Sequence, residues 1–272
     1  MALLTDGNPN NEDSLRVYES SILSVANVDF INLDSKLGLA TEEISQDLVD
    51  VLIEHSRMFD DLTNVRRQKG VSDVVVTPQL RRWHALHTLE TVYRDAYNNQ
   101  LNDRYRLKWE EYQKLARDAR ESTLRYGIGL VLNPLPVPAT PLFGVAAGLI
   151  VATTYYVQAT WVSAQGQESS PSATTTFATP DGSLLTVQLA NPPAAAAGWN
   201  VYVGLTDAPT APPVDIPPAP PNNAPIALQD SAPLALGSMF TLAASGVAAG
   251  RAPGDGQTPD IYITGGRMLR RG

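Results

Sequence analysis

Between Leu101 and Tyr126 the apolar side chains recur at helical spacing. At 100° per residue, Leu101, Tyr105, Trp109, Tyr112, Leu115, Ala116, Ala119 and Tyr126 share one arc of roughly 120°. Arg106, Lys114, Arg117, Arg120 and Arg125 alternate with Glu110, Glu111, Asp118 and Glu121 around the remainder. The pattern predicts an amphipathic helix whose rings point away from most of the charge. A single-stranded nucleic-acid platform would need exposed rings beside a net positive groove, so packing is the preferred reading.

The same periodicity extends upstream. Thr77-Pro78 is a helix start, a capping hydroxyl followed by proline at the first helical position. The stripe Leu86, Leu89, Tyr93, Ala96, Tyr97 then runs to about Asn99, with a bend expected at Asn98-Asn99 or one long kinked helix. Ile44, Leu48, Val51, Leu52 and His55 mark another helix, with Thr41 as the expected N-cap and Glu42 and Glu43 in its first turn. A further helix is expected from near Asn11, carrying Leu15, Tyr18, Ile22 and Leu23. Helices of this kind bury one core as a bundle.

Beyond Gly127 the period changes to two. Tyr155, Val157, Ala159 and Trp161 alternate in one strand; Leu185, Val187 and Leu189 do so in a second, and Trp199, Val201 and Val203 in a third. Pro180-Asp181-Gly182 and Asn191-Pro192-Pro193 supply turns. Weaker strands are expected at Pro225–Leu228 and Met239–Leu242, and Ala208–Pro221 reads as an extended proline-rich loop. Short strands between turns predict an antiparallel β-sandwich of immunoglobulin or fibronectin type. The fold class is therefore α+β in two domains. An α-helical domain over 1–132 is joined by a proline-rich linker, 133–141, to a β-sandwich over 142–260. A basic C-terminal tail follows, 261–272.

Composition sharpens this division. All four lysines, all three histidines and twelve of sixteen arginines precede Gly127, whereas nineteen of twenty-one prolines follow it. A net charge of −8 over 272 residues opposes free-standing nucleic-acid binding. With no cysteine, thiolate metal sites, disulfides and cysteine nucleophiles are excluded. The start, MALLTDGNPNN, lacks a signal-peptide pattern, and the apolar run Leu142–Ala152 falls short of the ~20 residues that span a bilayer. A soluble protein without a membrane partner is expected.

Candidate chemistry is sparse. His84, His87 and Glu90 stand on successive turns of one helix, a spacing metal ligands use, with His55 the remaining histidine. A di-metal centre needs matching ligands from other helices, so a structural or surface role is preferred and no metal or cofactor is expected. Gly254-Asp255-Gly256 with Asp260 lacks the alternating acids of a calcium loop. No phosphate loop, nucleophile elbow or histidine after residue 87 is present to build a serine hydrolase in the β half. The chain is read as a non-enzyme with no catalytic residues.

Two stretches carry a family resemblance. Leu80–Ala119 (LRRWHALHTLETVYRDAYNNQLNDRYRLKWEEYQKLARDA) resembles the helical core of tailed-phage head–tail connector, or adaptor, proteins. Tyr155-Tyr156-Val157, Gly166–Ser172 (GQESSPS), Gly198–Val203 (GWNVYV) and Ala224-Pro225-Ile226 resemble a fibronectin-like module of phage virion proteins. The resemblance implies a virion protein of the neck between capsid and tail, synthesised in the host cytoplasm. It implies a homo-oligomeric ring, a dodecamer, whose partners are the portal protein, neighbouring copies and a downstream tail or neck component. Packaged DNA would pass through it without sequence-specific binding. Arg267, Met268, Leu269, Arg270 and Arg271 form the basic, apolar-anchored end and are the candidate portal or subunit contacts. The rival reading is a virion decoration or receptor-binding protein that recognises carbohydrate through the sandwich, with Trp161, Trp199, Tyr155 and Tyr202 as stacking rings.

Overall fold

The structure is a computed structural model that describes residues 1–59, 69–206 and 225–264; the side chains of 54–59 are outside the description. The chain has an N-terminal helical part followed by antiparallel sheets, the α+β two-domain layout expected. One compact unit comprises Leu4–Leu132 with the chain from Pro259 onward; the other comprises Met1–Leu3 with Asn133–Thr258. No helix among the described residues is long and apolar enough to cross a membrane.

Among the described residues five α-helices build the first unit: α1 (Glu12–Tyr18), α2 (Ile22–Val28), α3 (Leu33–Phe59), α4 (Pro78–Gln100) and α5 (Asp103–Tyr126). Thr77 caps α4 as expected, its hydroxyl accepting from Leu80 N–H. The bend comes later than the asparagine pair: Leu101 takes the left-handed conformation (φ 52°), and Asn102 caps α5 by accepting from Arg104 N–H. Two other expectations are corrected. The first helix is broken into α1 and α2 around Glu19–Ser21, and Thr41 lies inside α3. The α3 stripe continues upstream through Leu33, Leu37 and Ala40, all buried, so Thr41 bonds sideways and Asn32 accepts from Ser35 N–H at the true start. Tertiary burial of that stripe overrides the local capping pattern.

Helix α4 is the centre of the unit. Leu80, Trp83, Leu89, Val92 and Tyr93 are all buried, and α5 packs along it. Tyr93 stacks on Tyr112 at 5.4 Å and Tyr97 on Trp109 at 6.1 Å. The α5 stripe is only partly realised: Tyr112, Ala116 and Ala119 are buried and Trp109 is half-buried, but Leu101 and Tyr126 are exposed. The sheet of this unit was not anticipated. Strand β1 (Ile128–Leu130) pairs antiparallel with β10 (Ile261–Ile263), matching Ile128 to Ile263 and Leu130 to Ile261. Residues 261–263 of the expected tail are therefore a strand of the helical unit. Gly129 permits this closure, since a Cβ there would meet Pro259 Cγ at 2.7 Å.

In the second unit, β2 (Leu142–Ala147), β5 (Ser183–Gln188) and β9 (Met239–Thr241) form one sheet in the order β2-β5-β9. The other sheet runs β4 (Thr175–Thr179), β3 (Thr153–Ser163), β6 (Ala196–Gly204), β7 (Ala227–Leu228), with β8 (Leu234–Ala235) also on β6. Tyr155, Val157, Ala159, Trp161, Leu185, Val187, Trp199, Val201 and Val203 share one apolar core, as their alternation predicts. The proline-rich 133–141 stretch is not a free linker. Leu135 is buried in that core, with its N–H donated to Gln257 Oε1 at 2.6 Å.

Candidate interaction site

Three helices of the first unit enclose an open groove of about 750 Å³. Helix α4 forms its floor with Trp83, joined by Ile44 from α3 and Ala116 from α5. Glu43, Gln46, Asp47 and Asp50 line the α3 wall; Gln113, Arg117, Arg120 and Glu121 line the α5 wall; His87 and Glu90 stand on α4. Ile44, Trp83 and Ala116 are themselves buried, so the accessible surface of the groove is mostly charged and polar. Arg120 Nε reaches across to Asp47 Oδ2 at 2.7 Å and braces the two walls.

The histidines of the candidate ligand set have separate tasks. His84 is fully buried. Its Nδ1 accepts from Asn10 Nδ2 at 3.0 Å, while Nε2 faces Leu37 O at 3.1 Å and Thr41 Oγ1 at 2.9 Å, which places the proton on Nε2. Burial pulls its pKa down to about 4, so the ring is neutral at pH 7 and ties the N-terminal segment to α3 and α4. His87 is half-buried in the groove. Its Nε2 donates to Glu43 Oε2 at 2.6 Å and its Nδ1 lies 3.1 Å from Glu90 Oε2. Burial opposes the cation, yet the two carboxylates outweigh it and raise the pKa above the ordinary value. Each nitrogen thus meets a different carboxylate instead of a shared point. Among the described residues no three His, Cys, Asp or Glu side chains converge as a metal set. His55 lies outside the described side chains.

Residues 265–272, and with them Arg267, Met268, Leu269, Arg270 and Arg271, lie outside the described residues. Their strand of origin does not: Ile263 pairs beside the C-terminal end of α5, and Thr264 follows there. The four rings weighed for carbohydrate stacking are all interior, with Tyr155, Trp161, Trp199 and Tyr202 each at 3 % exposure or less.

A second polar cluster was missed from sequence. Glu168, with its side chain 11 % exposed, receives Arg251 Nη1 at 2.9 Å and Nη2 at 2.6 Å, Tyr202 Oη at 2.9 Å and Asn200 Nδ2. Burial pushes its pKa up, but these donors prevail and hold it below the usual value. They also cover the outward faces of Asn200 and Tyr202, which the alternation alone would leave in solvent. Beside them the GQESSPS motif acts as a surrogate strand. Trp161 N–H donates to Ser169 Oγ and Ala159 N–H to Ser172 Oγ, while Ser169 and Ser172 N–H donate back to Trp161 O and Ala159 O. The hydroxyls supply acceptors where Pro171 breaks the normal ladder. Such a cluster fixes structure.

Comparison with known protein families, with curated proteins and with solved structures finds no match.

Proposed function

We propose that this chain is a structural virion protein of the head–tail connector class, with a fibronectin-like module attached. The observation that carries the reading is the α4–α5 pair. The stretch that resembles the connector core, Leu80–Ala119, falls on two long helices that pack along each other, with shorter α1 and α2 beside them. Two sheets around one core, with the serine motif braced against β3, support the kinship of the second unit with the fibronectin-like module. Ion pairs such as Arg120–Asp47 in the first unit and Arg251–Glu168 in the second suit a protein whose task is to hold shape. Exposed apolar residues, among them Phe30 at 95 % and Leu149 at 96 %, supply surface for neighbours in a ring.

In this reading copies close into a dodecamer under the portal, extend the DNA channel and receive the next tail or neck component. The net charge of −8 suits a channel protein past which DNA slides. The burial of Trp161, Trp199, Tyr155 and Tyr202 removes the residues on which the carbohydrate-binding alternative relied. Electron microscopy of the purified protein, with light scattering for mass, tests the proposal. A ring with a central opening is expected; a monomer or a trimer at micromolar concentration would overturn it.

A further inference from the structure

Strand β2 is an open edge of its sheet: among the described residues it pairs only with β5, in an unbroken register. Gly148 N–H donates to Gly182 O on the β5 side, and Leu185 O accepts from Leu242 N–H on the β9 side. By the alternation of an antiparallel ladder, Leu142, Gly144 and Ala146 therefore bond to β5. The N–H and C=O groups of Phe143, Val145 and Ala147 point the other way, out of the sheet. Edges are commonly blunted by lysine, proline or a bulge, and residues 142–148 (LFGVAAG) have none of these. The second sheet ends on the same side, since Phe143 stacks at 5.1 Å on Phe177 of its edge strand β4. Val145 shares the face of Phe143, yet it is 51 % exposed, because no strand among the described residues lies beyond β2 to cover it.

We propose that a second copy of the chain completes this edge, its own β2 running antiparallel across a two-fold axis. The charge pattern selects the partner. From residue 126 to residue 180 the only charged side chain is Glu168, which Arg251 engages. In a chain of net charge −8, this side lets two copies meet without opposing like charges. The register follows from the ladder, because outward-pointing residues must face outward-pointing residues. Only Val145 opposite Val145 brings all three into pairs, with Phe143 opposite Ala147 of the second copy, each pair exchanging two backbone bonds. Leu142 then faces Gly148 and Gly144 faces Ala146, so each large side chain off the axis meets a small one. The product is one continuous sheet in the order β9-β5-β2-β2-β5-β9. Residues 142–150 extend about 30 Å, and two stacked sheets with their side chains make an edge about 20 Å deep. The contact is on the order of 600 Å² per copy, at the lower limit of specific interfaces. This inference goes beyond the connector reading and does not rest on it: β2 pairs two copies whether or not further contacts close a ring.

The chain has no cysteine, so single cysteines introduced into the full protein report the register. Val145→Cys sets the two α-carbons about 5.5 Å apart across the axis, within disulfide range. Leu142→Cys is a control of similar exposure, 57 % against 51 %. Its two copies stand about 20 Å apart along the paired strands. Disulfide-linked dimer is expected at least tenfold faster from Val145→Cys than from the control. Equal rates, or a faster control, would overturn the proposal. So would a Val145→Cys thiol that resists a soluble thiol reagent in the monomer, since the edge would then be covered already. Charge provides an independent measurement, because Val145→Lys and Val145→Glu each bring like charges together at the axis. By sedimentation velocity each variant alone should pair at least tenfold more weakly than the parent chain, and an equimolar mixture of the two should regain the loss. Pairing that is unchanged in the single variants, or no stronger in the mixture, would count against it. Rings seen without the disulfide would leave the connector reading intact and sink this one alone.

Discussion

At the scale of single residues, the two described histidines of α4 respond to pH in opposite directions. His84 is held neutral, its pKa lowered from 6.5 to about 4 by burial, so the unfolded chain binds the extra proton between those values. Its stabilisation is complete above pH 6.5 and is lost as pH falls towards 4, on the order of 3 kcal/mol in all. His87 has the reverse sign: its raised pKa gives stabilisation that is full below 6.5 and lost as pH rises through the folded value. From these two groups the helical unit should be most stable near pH 6.5. Denaturant midpoints between pH 4 and 9 would show the maximum, and His87→Gln should flatten the alkaline side while leaving the acid side. Nitrogen-15 spectra should report His84 as the neutral Nε2–H tautomer at pH 6; an imidazolium there would contradict the burial argument. The pair was visible in sequence as a possible ligand set, but spacing along a helix does not say which carboxylate each nitrogen meets. Glu168 had a signal that was overlooked. It is the first charged residue after Arg125, and Arg251 is the sole arginine between Arg125 and Arg267. Isolated opposite charges in a neutral stretch need partners, and these two find each other.

At the scale of elements, long periodic patterns translated directly and short ones did not. The cap and stripe of α4, the course of α5 and the alternation in β3, β5 and β6 were legible because each buries a face along many residues. Strands β1 and β10 are three residues each and separated by more than a hundred, so neither carries a period of its own. Leu135 was hidden in a proline run whose composition suggests a spacer, and Trp109 sits at a helix edge where its ring is only half covered. The β1–β10 pairing changes what a helical fragment can do. A fragment ending at Leu132 lacks the strand that covers Ile128 and Leu130, both buried in the whole chain. It should melt cooperatively but below the helical transition of the whole protein. Adding the peptide Pro259–Thr264 should raise its melting temperature. A fragment as stable as the intact unit, and indifferent to the peptide, would mean that the strand contributes nothing to this core.

At the scale of the whole molecule, the proposed contacts between copies should respond to salt in a set direction. In the proposed ring each copy carries a net charge of −8, so association would have to overcome mutual repulsion. No charged side chain lies between Gly127 and Gln167, and this stretch includes β2, an edge strand paired only with β5 among the described residues. Its Leu142 and Val145 are exposed, as are Leu149 and Val151 just beyond. An uncharged apolar edge of this length is a place where another chain can pack. On the helical unit, Phe30 and Leu101 are likewise exposed, each with a left-handed backbone at an element end. Contacts through such groups gain from burial and lose little to screening, whereas the repulsion between copies is screened strongly. The proposed assembly should therefore strengthen as sodium chloride rises from about 50 to about 500 mM, a range over which the Debye length falls roughly threefold. Sedimentation velocity follows the effect. Were oligomers instead to dissociate with salt, the copies would have to meet through charged faces. The exposed apolar residues of β2 and of Phe30 would then lose their assigned place at the ring contacts.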